Sequence, residues 1–461
     1  MSKFVRAMIE RAGRPTRHAA GLLALAGALA APGYAGTQAA APVRGDLTVD
    51  QAVKLALERN QDLLTSGENI NAAAGQQKQA LQRYLPSLSA SGSFSHNLNE
   101  TGYLDPNTSL IVTGSQDNYG VRYVLNQNLI DIASIRSISA AGKSLEASKL
   151  NYAFSRSDLV LGTKQQYYVL LAAQELASVN DSALVLSQRE LKRTESLFEL
   201  GMVAKSDVLK AQVRVSNSKL DVIRSHGNVI DERAKMARVL GQSPTDDLRA
   251  ADQLTETPVV IDSTAIFQEA LANRPDLQAA LRTWEAAKLQ ASATKAGFLP
   301  TVAGQVGYSN QNASGFQPFA DFSVPLADPR NPSRVAGIGI NFPLFEGMWG
   351  RHGQVQTAQA RAEQGRYTYE KKKLDVEVEV RGAINTAQQA NEGVDVAKSG
   401  LVSAEEDLKL SQEKYNVGSG TILDLLDAQV NLQKARQQYV VALTTARIAE
   451  AQIERARGVR P

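Results

Sequence analysis

Two carboxylates stand three residues apart in the stretch GTILDLLDAQ, at Asp424 and Asp427. On a helix that spacing puts both on one face. Acids grouped in this way favour cations and oppose anions, and crowding raises their pKa values. A purely structural reading stands beside this one. Thr421 and Asp424 fit a capping box, with aspartate in the usual glutamate position. Asp207, in KSDVLKAQV, occupies an analogous place. Other reactive chemistry is sparse. His18, His96, His226 and His352 are scattered, and no phosphate loop, metal-ligand spacing or nucleophile motif occurs. There is no cysteine, which excludes disulfides, thiolate metal sites, a Cys nucleophile and a lipid carried on cysteine. The expectation is a protein that is not an enzyme and uses neither cofactor nor metal.

The chain that must position these acids is written twice. ALERNQDL (56–63) resembles ALANRPDL (270–277), and YLP (84–86) resembles FLP (298–300), both 214 residues apart. FELGMVAKSDVLKAQV (198–213) resembles YNVGSGTILDLLDAQV (415–430), 217 apart, so Gly201 matches Gly418 and Asp207 matches Asp424. The predicted organisation is a signal peptide over 1–35, a first repeat over 36–241, a linker over 242–262 and a second repeat over 263–461. In the leader, Lys3, Arg6, Arg11, Arg14 and Arg17 accompany an apolar stretch from Ala19 to Ala31. Small residues at Gly33 and Ala35 then place cleavage after Ala35. An uncleaved anchor is the alternative. Removing this segment takes the formal charge from +3 to near −1, so the basic balance implies no nucleic-acid partner. No later run of eighteen apolar residues predicts a membrane-spanning helix.

Each half follows one order: a helix ending at Leu-Pro, a strand, a polar loop, a second strand, a very long helix, a Gly turn and another helix. In LPSLSASGSFSHNLN, the residues Ser89, Ser91, Ser93 and Ser95 alternate with Leu88, Ala90, Gly92 and Phe94. Alternate side chains on a strand face opposite ways. In YGVRYVLNQNL (119–129), Tyr119, Val121, Tyr123, Leu125 and Leu129 share a face, with Asn126 and Asn128 opposite. The second half supplies TVAGQVGYSNQ (301–311) and VAGIGINFPL (335–344). Each run is long enough to cross a bilayer as a tilted strand, which takes about 9–11 residues. Arg122 is the only Lys or Arg in these four runs.

The helices are long because nothing stops them. No proline lies between Pro106 and Pro244, or between Pro343 and Pro461. One helix is predicted from about Ala133 to Glu199, about 100 Å long at 1.5 Å per residue, and its twin from about Met348 to Asn416. Val380, Ala387, Val394, Leu401, Leu408 and Tyr415 recur every seven residues, with Ala383, Ala390, Ala397, Ala404 and Ser411 between them. Leu425, Leu432, Tyr439, Ala446 and Ile453 repeat the design in the last helix. In the first half the seam is assigned to Leu170, Ala177, Leu184, Leu191 and Phe198. A strict seven-residue repeat implies coiled-coil packing.

Strands apolar on one side and polar on the other fit a barrel with lipid outside and water inside. An open sheet edge cannot face lipid, so several chains must close one barrel. Two copies would give eight strands and a lumen filled by side chains; three would give twelve and room for a pore. The small Ser and Gly residues favour the open lumen. Ser89, Ser91, Ser93, Ser95, Asn126 and Asn128 are the candidates to face it.

The ordered duplication, carried by ALERNQDL, YLPSLSASGSF, LNQNLIDIASIR, FELGMVAKSDVLKAQV, ANRPDLQAA, INFPLFEGMWG and YNVGSGTILDLLDAQV, resembles the TolC family of outer-membrane efflux and secretion channels. The resemblance covers essentially the whole chain after the leader. It implies a mainly α fold with a membrane β-barrel contribution: a homotrimer whose twelve-stranded barrel sits in outer-membrane lipid and continues into a helical tunnel across the periplasm. The implied partners are a periplasmic adaptor (membrane fusion) protein and an inner-membrane pump of RND or ABC type, in multidrug export or type I secretion. Loops 100–118 and 312–334 would face outside. Gly201, Lys205, Ser206, Gly418, Ser419 and Gly420 would lie at the periplasmic tip for adaptor docking. Asp424 and Asp427 would face the lumen as the gate, with Asp207 helping to hold it shut. Gly420 departs from relatives that carry a basic residue there. Trp349 would sit in an interfacial aromatic belt. The competing function is a structural coiled coil of the envelope without transport.

Overall fold

The computed structural model describes residues 45–96, 101–104, 111–114, 117–244, 248–314, 332–343 and 347–458. The leader lies outside them. The first half contains β1 (Gly45–Leu47), α1 (Val49–Arg59), α2 (Gln61–Gln82), β2 (Ser87–His96), β3 (Thr101–Leu104), β4 (Ile111–Gly114), β5 (Asp117–Ile130), α3 (Ile132–Glu199) and α4 (Lys205–Val239). The second contains β6 (Leu248–Ala250), α5 (Ser263–Asn273), α6 (Pro275–Ala296), β7 (Thr301–Ser314), β8 (Ser333–Asn341), α7 (Met348–Asn416) and α8 (Ile422–Ala456). Corresponding helices match in length: α1 and α5 have 11 residues, α2 and α6 have 22, α3 and α7 have 68 and 69, and α4 and α8 have 35. β6 falls within the segment 242–262 and pairs in parallel with β1. Leu-Pro stops α2 and α6, and the sheet strands start within two residues of each proline.

Both halves bend at the same place, between the first two helices, by different means. Asn60 caps α2, its side-chain oxygen accepting from the Asp62 and Leu63 amides at 3.0 and 3.2 Å. It also donates to the Val239 carbonyl at 2.9 Å. In the second half Arg274 stands at this position and Pro275 opens α6, where proline costs no hydrogen bond. The last helix of each half then ends against the bend. Gly241 and Gly458 have φ of +69° and +70°, the left-handed conformation that terminates helices. A Cβ on Gly241 would sit 2.4 Å from the Arg59 carbonyl oxygen, and one on Gly458 would sit 2.9 Å from the Arg274 nitrogen. Glycine is required there by conformation and by space alike.

The core sits beside this bend. Ile266, Ala270 and Leu277 pack with Val376, Val380, Ala383, Ala387 and Val394 of α7 and with Leu443, Ala446, Ala449 and Ile453 of α8. The seven-residue seam is therefore buried from Val376 to Val394. From Ala397 towards Tyr415 it is only half-buried. The physical reason is local: near the bend α5 and α6 cover the α7–α8 hairpin, and further along it loses that cover. The β1–β6 pair is pinned to the middle of α3 by Tyr167. Its hydroxyl donates to the Asp252 carboxylate at 2.7 Å, and that carboxylate accepts from the Val49 amide at 2.8 Å. Burial and the Asp252 carboxylate push the Tyr167 phenol well above its ordinary range.

α3 also departs from the expectation of no helix fit to span a membrane. One 18-residue window within it is apolar enough to cross a bilayer by composition, with a mean hydropathy of 1.3. Counting unbroken apolar runs misses an averaged window. α3 packs against α1, α2, α4, α6 and α8, and Tyr167, Leu170, Leu171, Ala172 and Ala177 are buried by that packing.

Candidate functional site

Two surfaces carry the features that pointed to function: a four-stranded sheet and the two turns at the far ends of the long helices. The sheet is antiparallel throughout, in the order β2–β5–β7–β8. Residues opposite each other across strands share a face. Ser89 lies opposite Val124, Ser91 opposite Arg122, and Ser93 opposite Gly120. Asn126 lies opposite Gln305, and Asn128 opposite Ala303. The Ser and Asn candidates thus share one face, which among the described residues is mostly small and polar apart from Val124, Val335 and the cation Arg122. The other face presents Leu88, Leu125, Val306, Ile338 and Ile340, and Ile338 and Ile340 are each 73% exposed. An exposed apolar face this continuous marks a surface that meets lipid or another chain.

Two details of the sheet differ from the sequence expectation. β8 begins at Ser333 and so takes in Arg334, a second basic residue, opposite Tyr308. A register shift between Asn128 and Ile130 puts Ile130 opposite Val302, on the apolar face. A Cβ on Gly304 would touch Leu129, so Leu129 points to that face too. The bulge lets two successive apolar residues face the same way just before Asp131 caps α3. Loops 100–118 and 312–334 lie in part outside the described residues. Within the first, β3 and β4 form a hairpin that alternation alone did not reveal.

At the turns, Gly201 and Gly418 adopt φ of +74° and +77°. The Met202 amide donates to the Leu197 carbonyl at 2.9 Å, and the Ser419 amide to the Lys414 carbonyl at 3.0 Å. Both turns are Schellman closures. The Gly420 amide donates to the same Lys414 carbonyl at 3.1 Å. A Cβ on Gly420 would stand 3.1 Å from the Lys414 Cβ, so a larger residue would have to displace Lys414. Lys205, Ser206 and Ser419 are exposed beside these turns.

Asp424 caps α8. Its carboxylate accepts from the Thr421 hydroxyl at 2.8 Å and the Thr421 amide at 3.0 Å, and the Thr421 hydroxyl accepts from the Asp424 amide at 3.2 Å. Those hydrogen bonds hold the Asp424 carboxyl below its ordinary value. Within one chain this opposes the rise expected from crowded acids. Asp424 and Asp427 are both exposed, while Leu425 and Leu426 between them and Ala428 just beyond are buried. Asp207 pairs instead with Lys210 on its own helix, at 3.2 Å. The second hairpin meets the first through Arg193, which bonds Asn416 and lies 5.5 Å over the Tyr415 ring. Burial, with Glu190 and Asp207 nearby, raises the Tyr415 phenol.

Sequence reasoning missed what lies behind these turns. Towards the tip the buried line of α3 runs through Asn180, Ser187, Glu190 and Thr194, not through Leu184, Leu191 and Phe198. The signal was present: 180, 187 and 194 also recur every seven residues. Asn180 accepts from Gln433 and Gln437 of α8, each at 2.9 Å, and Gln433 accepts from Arg214 of α4 at 2.6 Å. Glu190 is 4% exposed, and one carboxylate oxygen accepts no hydrogen bond. Burial raises its pKa, although Arg193 acts the other way. An acid with a raised folded pKa stabilises less as pH climbs from the unfolded value through the folded one. Glu190→Gln is therefore expected to stabilise the tip at pH 8 by about 1–3 kcal/mol and to have little effect at pH 4. Hydrogen exchange of the α3–α4 turn at both values checks this; equal effects at the two pH values would refute it.

Among the described residues no group of three or more His, Asp or Glu could hold a metal ion. The sequence profile of the outer membrane efflux protein family matches residues 52–242 and 266–459, one copy in each half. The chain is 24% identical to outer membrane protein TolC of Salmonella enteritidis over 403 residues, 87% of this chain and 79% of that one. It is 24% identical to the toluene efflux pump outer membrane protein TtgC of Pseudomonas putida over 421 residues, 86% of this chain and 79% of that one. In fold it is similar to the outer membrane protein VceC of Vibrio cholerae, with a TM-score of 0.74 at 18% identity, covering 89% of this chain and 96% of that one. With both repeats matched, the chain belongs to the TolC-like outer membrane efflux protein family.

Proposed function

We propose that three copies of this chain form an outer-membrane exit duct, passive in itself, for a tripartite efflux pump or a type I secretion system. The observation that carries the reading is the sheet. Its outer strands β2 and β8 each pair on one side only, and one face is bare and mostly apolar, with Arg334 towards its outer end. Strands β2 and β7 leave the helical end and β5 and β8 return to it, so a further copy of β2 beside β8 continues the antiparallel order. Closure by copies satisfies every edge, as a bilayer demands, and twelve strands leave a pore. The Ser and Asn face then lines the lumen. The long hairpins carry the duct across the periplasm, and the turns at Gly201–Ser206 and Gly418–Gly420 meet an adaptor that links to an RND or ABC pump. Trp349, 86% exposed at the start of α7, marks the inner lipid boundary. A cleaved signal peptide delivers the chain.

TtgC is described as part of a toluene efflux pump, which favours small-molecule export among the cargoes considered. The test is assembly and conduction. The outer-membrane fraction is expected to yield a trimer that dissociates on heating and opens discrete channels in a planar bilayer. A heat-stable monomer that conducts nothing would favour the structural coiled coil instead.

A further inference from the structure

We propose that the outward face of the sheet at Arg334, Tyr308 and Tyr123 is a binding site for the phosphorylated headgroup of an outer-leaflet lipid. The inference rests on the barrel reading above and names a ligand for its lipid-facing side.

The three residues form one row. Tyr123 is opposite Tyr308 on β7, and Tyr308 is opposite Arg334 on β8. The two tyrosine rings lie 6.2 Å apart, centre to centre. A cleft on this face lies between two cross-strand rows, Leu88, Leu125, Val306 and Ala336 on the inner side and Tyr123, Tyr308 and Arg334 on the outer side. Its apolar row can hold the first carbons of an acyl chain, and its one cation stands at the β8 edge, beside Ala336.

The height of the row fits a membrane boundary. From Arg334 to Phe342, eight residues of strand rise about 27 Å along the chain. Tilted as barrel strands are, they cover about 20 Å of bilayer, close to the roughly 25 Å apolar band of such barrels. Every outward position between them on β8 is Ala336, Ile338 or Ile340. Exposed Trp349 lies beyond the lower end, so aromatic residues stand at both edges. Arg334 is exposed. Within the four-stranded sheet the only carboxylate residue is Asp117. It is six positions beyond Tyr123, about 20 Å along β5. With no carboxylate of the described sheet residues beside it, the Arg334 guanidinium can take its counter-charge from a lipid phosphate, which Arg matches with two parallel hydrogen bonds.

The test uses the full assembly in lipid nanodiscs containing equal amounts of a phosphorylated glycolipid, such as a bisphosphorylated lipid A, and its dephosphorylated form. After stepwise delipidation, the lipids retained are counted by mass spectrometry. Wild type is expected to retain the phosphorylated form preferentially. Arg334→Gln is expected to cut that preference roughly tenfold, the value of one charge-assisted contact, while Arg334→Lys keeps part of it. Single-channel conductance is recorded for each variant to show that the barrel is intact. Equal retention by wild type and Arg334→Gln, with normal channels in both, would overturn the lipid site and leave the barrel standing. A wild type that inserts no channel would overturn the barrel and the site with it.

Discussion

Asp276→Ala is expected to destabilise the bend before α6 by about 3 kcal/mol or more, the cost of leaving a buried charge without its partner. Asp276 binds Arg274 through two hydrogen bonds, at 3.0 and 2.7 Å, and Lys372 of α7 at 2.9 Å. Arg274 is 2% exposed and also bonds Glu379 of α7 at 2.9 Å. Glu379 in turn bonds Arg455 of α8, which reaches Asp158 of α3 at 3.1 Å. One connected set of charges thus ties the bend to three long helices. Without Asp276, the Arg274 guanidinium keeps only the part-exposed Glu379. Burial would push the Asp276 carboxyl up, but its hydrogen bonds with Arg274 and Lys372 outweigh that and lower it from 3.8 to about 2. Its folded value lies below its unfolded one. The stabilisation is therefore present above about pH 4 and lost as pH falls towards 2. Local hydrogen exchange at the start of α6 is expected to quicken about a hundredfold in the variant at pH 7. Asp276→Asn should also remove most of the acid-limb loss. Replacing the pair together, Arg274→Met with Asp276→Leu, should recover much of the stability, since a buried ion pair is weak against well-packed apolar residues. Unchanged exchange in Asp276→Ala would show that Lys372 and Glu379 carry the network without it.

The same bend shows how far a sequence can be read. NRPDL was visible as a landmark because it recurs in register with NQDL, and the repeat gave the order of elements in both halves. What alternation and spacing encode locally was legible: strand faces, the Leu-Pro stops, helix-ending Gly201 and Gly418, and helices unbroken by proline. Partners distant in sequence were not. Arg274 meets Glu379 across 105 residues, and Asn180 meets Gln433 across 253. No local pattern marks either contact. The seam of α3 misled because two seven-residue lines run side by side, one with Leu184 and Leu191, the other with Ser187 and Thr194. Apolar character favoured the first. Near the tip the helices bury the second, whose polar groups are met by Gln433 and Gln437 of α8 at Asn180 and by carbonyls of α3 itself at Ser187 and Thr194. Arg334 was missed for a simpler cause. It sits at the outer end of β8, where loop residues give way to strand, and only cross-strand register with Tyr308 assigns its face.

The largest functional effect is expected from Asp424 and Asp427. Replacing both with Ala should raise single-channel conductance and cut the preference for cations, by roughly two- to tenfold at low salt and less at high salt. On the proposed trimer the pair would give six carboxylates at the narrow end of the duct; in each chain both are exposed, beside buried Leu425 and Ala428. The two acids are not equivalent. Asp424 also fastens the first turn of α8 through Thr421, whereas Asp427 lies a turn further in, outside that box. Asp427→Ala is therefore expected to lower selectivity with the turn intact. Asp424→Ala should lower selectivity and also loosen the start of α8, so that it raises conductance more. Asp424→Asn keeps a side-chain oxygen for the cap and separates the two roles: selectivity should fall without the added conductance. The hydrogen bonds from Thr421 hold Asp424 ionised to lower pH than an ordinary aspartate. Crowding among copies acts against them. A pH titration of the reversal potential in wild type and Asp427→Ala reads the balance directly. Loss of cation preference only well below pH 4 in Asp427→Ala would mean that the cap sets the charge of the ring. Conductance and selectivity unchanged in the double variant would remove these two acids from the gate altogether.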